Sequence, residues 1–306
     1  MKKQLLLALT LSGAFITAEA QKPDTARVLV HYKFTHVRDT TDRAHPYTEN
    51  MVLYVGKGAS AYRSYDGIQA NEQFKKEYAA AAAASPDGRV RINRRGRGSA
   101  TEYYEYPNEQ KLLTKEQVII NTYLIDGLMP VVDWKISSDT ATFGGMHCQK
   151  ATTHFKGRDY IAWFCPDLPV HTGPWKLNGL PGVIVDAHDA KNEVAFKFDG
   201  IEKAIPTPPK TQPASGDQDV PPILRGLDVD LNLITPPADA IKTTQKDFDK
   251  LQEAIRKDPN AVAQGMMASQ GGNMRPGAPK MDGNKIKADP GHGPVINNPI
   301  ELPEKR

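Results

Sequence analysis

The sequence contains little cysteine and little tryptophan, and its positive and negative charges nearly balance. Its 306 residues include 2 Cys and 3 Trp, and 39 Lys and Arg stand against 36 Asp and Glu, a formal net charge of +3. A protein that grips the phosphates of nucleic acid is expected to carry a strong one-sided positive charge. The balance therefore argues against nucleic acid as a partner. Beyond the first twenty residues, no apolar run approaches the ~20 residues that a membrane-spanning helix needs.

The first twenty residues are typical of a cleaved signal peptide. Lys2 and Lys3 precede an apolar stretch at 5–16, and residues 18–20 form a small-x-small cleavage site before Gln21. An uncleaved membrane anchor is the alternative. We therefore expect an exported protein, located in the periplasm, at the periphery of the outer membrane or outside the cell.

Export makes the two cysteines candidates for a disulfide, because oxidising compartments favour the bond. Cys148 and Cys165 flank a hairpin-like sequence with Gly157 at its tip. If Lys156 and Gly157 form the loop, the cysteines are directly opposite each other; if Gly157 and Arg158 do, they are diagonal neighbours. The sequence predicts a Cys148–Cys165 bridge, with two free thiols or a thiolate metal site as alternatives.

The remaining sequence predicts a mainly β or α+β fold with one or two short helices. Short β-rich runs separated by turn residues recur from 27 to 201 without helices between them, which is typical of an antiparallel meander. Helix-favouring composition marks 71–84, and an apolar stripe marks 243–257. We interpret 21–256 as one β-rich domain with a flexible insertion at about 70–100 and a Pro-rich segment at 205–222. Residues 257–306 are expected to be a mostly disordered tail whose segment 295–302 docks back.

A turn-rich motif stands between the predicted strands, in the run GPWKLNGLPGVI. Proline followed by glycine in Leu180-Pro181-Gly182-Val183 is typical of a type II turn, with Gly182 at the position that needs a positive φ. Gly179 is expected to leave room for close packing. The residues of this predicted corner are Gly173, Pro174, Gly179, Leu180, Pro181 and Gly182.

This run resembles the signature of the GLPGLI family of exported proteins of Bacteroidota. Val183 stands where the family has its second leucine, and the similarity extends over residues 134–199, through GGMHCQKATTHFKGRDY and YIAWFCPDLPVHTGPW. It also includes the strand around 61–64 and the terminal NNPIEL. Position 165 more usually holds a hydroxyl residue in the family, so the disulfide is not implied by the resemblance.

The resemblance implies an exported accessory protein rather than a particular reaction. The family is associated with outer-membrane, TonB-dependent uptake systems and has no settled biochemical activity. Its architecture is similar in style to the curved half-barrels of periplasmic lipoprotein carriers, which adds a curved antiparallel sheet to the prediction. An outer-membrane receptor or another envelope protein is the expected partner; the cofactor and the oligomeric state stay open.

Three kinds of site are candidates, and no catalytic set is nominated. An apolar ligand groove could form at Arg158, Tyr160, Trp163 and Trp175, with Arg158 exposed at a hairpin tip. A hydrolase with an unrecognised site is a further alternative. A periplasmic protein binding Cu, Zn or Fe is the other, because His and Cys are transition-metal ligands. Its candidate ligands are His147, Cys148, His154, His171 and His188.

Overall fold

The computed structural model describes residues 23–85, 90, 98–119, 121–205, 230, 232–270 and 296–304, and every structural statement below concerns these residues. The predicted signal peptide, the Arg-rich run at 91–97 and nearly all of the Pro-rich segment 205–222 lie outside them. The elements are β1 (Asp24–Thr25), β2 (Val28–His36), β3 (Tyr47–Val55), β4 (Ser60–Ser64), α1 (Tyr65–Ala83), β5 (Glu102–Tyr106), a 3-10 turn (Pro107–Glu109), β6 (Lys111–Val118), β7 (Asn121–Leu128), β8 (Lys135–Phe143), β9 (Met146–Phe155), β10 (Arg158–Cys165), β11 (Val183–Asp189), β12 (Val194–Lys203), β13 (Leu233–Ile234), β14 (Ile241–Thr244), α2 (Gln245–Lys257) and α3 (Pro259–Gln270).

Twelve strands form one open sheet in the order β14-β7-β6-β5-β4-β3-β2-β12-β11-β10-β9-β8. All neighbours are antiparallel except β14 and β7, which are parallel. The chain thus forms a meander from β2 to β7, crosses directly to the opposite edge at β8, and returns by a second meander to β12 beside β2. The predicted β-rich antiparallel fold is confirmed. Strands β1 and β13 pair with each other in a separate two-stranded ribbon.

The sheet is strongly curved, as predicted. Tyr62 on β4 and Phe196 on β12 are separated by β3 and β2, so a flat sheet would hold their Cα atoms about 14 Å apart. Their ring centroids are 6.3 Å apart. This convergence is possible because the face that carries both rings is concave, and we call it the inner face.

Each face of the sheet buries its own apolar cluster. Alternate residues of β2, β3 and β4 point inward, including Val30, Tyr32, Leu53 and Tyr62, and join the residues of β9–β12 in the larger core. The other face, the outer face, buries Tyr54 and its neighbours on β2–β7 together with Ile234 of the ribbon. The outer face of β9–β12 carries polar and half-buried side chains instead.

The chain's own residues 166–182, here called the inner segment, pack on the inner face. Leu177 and Leu180 are fully buried within the larger core. The Trp175 ring stacks on Phe196 at 6.3 Å between centroids, with an angle of 13° between the ring planes. The predicted corner therefore fills the concave face rather than leaving it open.

The C-terminal residues 296–304, here called the strap, lie across three distant parts of the fold. The backbone N–H groups of Asn297 and Asn298 donate to the carbonyl of Arg38 after β2. The N–H of Leu302 donates to the Lys156 carbonyl at the turn between β9 and β10, at 3.0 Å. Residues 296–302 of the segment for which docking was expected make these contacts.

The helices differ from the sequence-based expectation in number and in length. The described residues contain three. Helix α1 has 19 residues because it begins six residues before the helix-favouring run at 71–84, where the Ser64 hydroxyl caps the Gly67 N–H at 2.8 Å. Residues 259–270 form α3, although their composition predicted disorder; Asp258 caps its first turn and Ala263 and Met266 are buried. No described helix combines the length and hydropathy needed to cross a membrane.

Candidate functional site

The disulfide joins Cys148 to Cys165, with their Cα atoms 4.2 Å apart. The register pairs Phe155 with Arg158, so Lys156 and Gly157 form the loop. Of the two registers that the sequence left open, the one with directly opposed cysteines is therefore correct. The bridge ties β9 to β10 immediately before the inner segment begins.

Only glycine fits at position 182, at the end of the inner segment, because another stretch of backbone lies very close to it. A Cβ built there would lie 2.6 Å from the carbonyl carbon of Cys165 and 2.9 Å from the Pro166 nitrogen, at φ +157°. The turn is not the expected type II turn. The Gly182 N–H donates to the Leu180 carbonyl at 2.8 Å, a three-residue turn around Pro181, while Val183 donates to Leu168.

We expect Gly182→Ala to lower the free energy of unfolding by more than about 1 kcal/mol, since no flexible side chain can yield to the added methyl group. Gly179→Ala is the matched control, because Gly179 has φ +91° but no atom within 4 Å of its Cβ position. The expectation of close packing at Gly179 is therefore wrong. Urea unfolding of both variants gives the comparison, and equal losses would show that backbone conformation alone matters.

The four residues of the predicted groove do not line one cavity. Tyr160 and Trp175 are core residues, 1% and 3% exposed, and their ring centroids are 6.4 Å apart. Trp163 is half-buried and lies on the outer face, because alternation along β10 directs it away from Tyr160. The groove prediction is wrong at these positions because the inner segment occupies the face that the ligand would have used.

Arg158 is buried rather than exposed at a hairpin tip. Its guanidinium donates to Asp189 at 2.8 Å and to Glu193 at 3.3 Å, and these three side chains are 2–5% exposed. The strap completes the site, since Arg158 also donates to the Asn298 side chain at 2.7 Å and to the carbonyls of Pro299 and Ile300. This network fastens the strap, so Arg158 is not available to an anionic headgroup.

The five candidate metal ligands do not converge. Cys148 is consumed by the disulfide, and His147 and His171 are exposed. His154 contacts two carboxylates, Asp159 at 2.6 Å and Glu304 at 2.9 Å, and these raise its pKa. In the part of the chain that the structure describes, no three His, Cys, Asp or Glu side chains are placed to hold a metal ion. These five candidates therefore do not form a metal site among the described residues.

A buried carboxyl group that the sequence did not single out holds the inner segment to the sheet. Glu105 is 2% exposed and accepts a hydrogen bond from the Thr172 hydroxyl at 2.6 Å; that hydroxyl lies 2.6 Å from the Ser60 hydroxyl. Within the described residues the other carboxyl oxygen, Oε1, has no partner. Burial raises the pKa of Glu105 to about 8, although both hydroxyl groups favour the charged form.

Glu105 should therefore make stability depend on pH. The pKa of Glu105 is higher in the folded state than in the unfolded state, so the protein is most stable below about pH 4.5, where Glu105 is protonated in both states. As the pH rises from there to the folded pKa, the free energy of unfolding decreases by at most about 1.4 kcal/mol per pH unit. We expect Glu105→Gln, which keeps the shape, to remove this decline. The measurement is the difference in unfolding free energy between wild type and variant from pH 5 to pH 9; a pH-independent difference would contradict it.

The surface that remains open is the outer face of β9–β12. Trp163 is partly buried there against Phe143, at 5.9 Å between ring centroids. Phe143 also reaches Phe198 at 5.8 Å, but Phe198 is paired with Tyr32 and therefore belongs to the inner face. We call Phe143 and Trp163 the aromatic patch. Half-buried aromatic side chains on a rigid sheet are typical of contact surfaces, because their area is large and little conformational entropy is lost on binding.

Polar side chains continue from the aromatic patch along one cross-strand row. Trp163 is paired with Lys150 on β9 and with Asp186 on β11, and Lys197 on β12 is paired with Lys33 on β2. The Lys197 ammonium donates a hydrogen bond to the Asp186 carboxylate at 3.1 Å and so connects neighbouring members of the row. We call Lys150, Asp186, Lys197 and Lys33 the polar row.

The ionisation state of the polar row follows from its contacts. The Lys197 ammonium also lies 3.0 Å from Nδ1 of His188. Burial alone would raise the pKa of Asp186, but His188 and Lys197 outweigh burial and lower it. The carboxylate is therefore charged and held in place.

An open, curved antiparallel sheet with a self-filled inner face and a half-buried aromatic outer face defines the class of this protein. A family model described as "Protein of unknown function (Porph_ging)" matches residues 154–186, which run from the β9–β10 hairpin through the inner segment into β11. No curated protein matches the chain in sequence.

Two solved structures resemble the fold, titled "Structure of PNGF-II in C2 space group" and "Structure of PNGF-II in P21 space group". Their TM-scores are 0.45 and 0.46, each at 10% sequence identity. In each case the similarity covers 74% of this chain and 32% of the other, so this chain spans about a third of those proteins.

Proposed function

We propose that this chain is an exported binding protein of the cell envelope, an accessory to outer-membrane, TonB-dependent uptake or assembly, and that it acts by contact rather than by catalysis. The observation that carries the proposal is the aromatic patch, two ring side chains in contact that the fold leaves half-buried on a strand surface. The partner surface is thus the outer face and not the concave one.

Two further observations support export to the envelope and membership of the GLPGLI family. A buried disulfide between adjacent strands suits an oxidising compartment. The block that resembles the GLPGLI signature forms the inner segment and its flanking strands. These residues pack on the inner face and so support the strands whose other side is the outer face. The periplasm or the periphery of the outer membrane is the proposed location.

The proposal is tested by the binding of purified chain to envelope fractions from cells that lack it. We expect Trp163→Ala to weaken binding at least about tenfold, because an aromatic anchor of an interface commonly contributes 1.4 kcal/mol or more. Phe143→Ser is the second variant, in case the first is misfolded. Both are compared with wild type by thermal melting.

The control is Leu128→Ser, which removes an 83% exposed apolar side chain at the end of β7. It should bind as wild type does. Equal binding by wild type, Trp163→Ala and Phe143→Ser would overturn the proposed surface. Loss of binding in Leu128→Ser alone would move the surface to the β7–β8 crossing.

A further inference from the structure

Resting on the proposed function, we infer that the ligand of the outer face is an acidic saccharide chain, whose rings lie on the aromatic patch and whose carboxylate or phosphate groups reach Lys33 and Lys197. The inference depends on three features of the row: its length, its charge pattern and its mixture of contact types.

The length of the row suits an oligomer. Trp163, Asp186, Lys197 and Lys33 lie on four adjacent strands, so the row extends over three strand spacings, about 14 Å. This is the length of a short oligosaccharide rather than of a single sugar or a lone anion. The β2 end of the row is open to solvent, because Lys33 is exposed and the Lys197 side chain is 46% exposed, whereas Asp186 between them and Trp163 is buried.

The charge pattern suits an anion at the β2 end. Lys150 is held by Asp139 and Lys197 by Asp186, at 3.0 and 3.1 Å. Lys33 is directly opposite Lys197, and among the described residues it has no hydrogen bond or ion pair. Like charges directly opposite on a sheet are destabilising, and an anion bound between the two ammonium groups would remove that repulsion.

The mixture of contacts suits a hydroxyl-rich ligand. Aromatic faces at one end accept the apolar face of a sugar ring, while the spare protons of Lys197 can donate to hydroxyl or ring oxygens. A membrane surface would instead require a larger, fully exposed apolar patch, whereas the rings of the aromatic patch are partly buried.

The test uses the mature full-length chain and alginate, a polysaccharide of carboxylated sugars, with dextran as the neutral polymer. We expect alginate to bind more weakly at high salt, since the anionic contact is exposed to screening. Lys33→Gln should weaken binding about tenfold, as expected for the loss of one charge-assisted contact, and Trp163→Ala at least as much. Lys135→Gln, an exposed lysine on β8, is the matched control and should change nothing.

Each other outcome overturns the inference in a recognisable way. Equal affinity for dextran would show that the charge is irrelevant. Binding to anionic phospholipid vesicles with the same Lys33 dependence, and none to alginate, would assign the row to a membrane surface. If alginate fails while Trp163→Ala still loses envelope binding, the ligand class is wrong and the proposed surface survives; if both fail, both are wrong.

Discussion

Arg158→Ala is expected to lower the free energy of unfolding by about 3–5 kcal/mol, because it leaves the buried Asp189 carboxylate without its cation and removes one of the two cations that pair with Glu193. Asp189 and Glu193 are 2% and 4% exposed, and Asp189 also accepts the backbone N–H groups of Glu193 and Val194, so neither carboxylate can move out to water freely. The strap would lose three hydrogen bonds at the same time. Urea unfolding of the purified variant measures the loss.

Arg43→Ala is the matched control, since Arg43 pairs with the same Glu193 but its side chain is 55% exposed. Its removal should cost no more than about 1 kcal/mol. If the two variants were equally stable, the buried network would not fasten the strap. Limited proteolysis adds a second readout, because the strap should become cleavable only in Arg158→Ala.

Removal of the disulfide by the double change Cys148→Ala and Cys165→Ala is expected to lower the free energy of unfolding by about 3 kcal/mol. The bond closes a loop between cysteines 17 residues apart, and a loop of this length restricts the unfolded chain by about that amount. Both sulfur atoms are buried in the larger core, so alanine adds a small packing loss.

Reduction supplies the control for this prediction. A reductant should destabilise the wild type by a similar amount and leave the double variant unchanged. Two alkylatable thiols in unreduced, denatured wild-type protein would contradict the bridge itself. A variant as stable as the wild type would show that strand pairing alone holds β9 to β10.

The parts of the fold that the sequence predicted are those decided by local chemistry. Gly157 located the hairpin turn and limited its register to two choices, and β content followed from alternating short runs. Arg158 was misread because its burial depends on a strap about 140 residues later in the chain, which no local pattern reveals. Trp175 was misread for a similar reason: it has φ +59°, and the inner segment folds back onto a distant strand.

The sequence did not reveal the candidate binding surface because its residues are brought together only by the pairing of strands. Trp163 was recognised, but Lys33 and Lys197 are brought beside it by the pairing of β12 with β2, strands that are far apart in sequence. Glu105 was missed because it stands in an ordinary strand pattern, and nothing nearby marks it as buried. The one available signal was a glutamate at a position of β5 where the alternating pattern calls for an apolar residue.

The strap also sets an order of events during folding. It is about 140 residues away in sequence from the hairpin that it closes, yet it supplies three of the five hydrogen-bond partners of the buried Arg158 side chain. Until the strap docks, one end of the sheet contains a buried ion network with incomplete hydrogen bonding. We therefore expect this end of the sheet to remain loose early in folding and to become rigid only when the strap has docked.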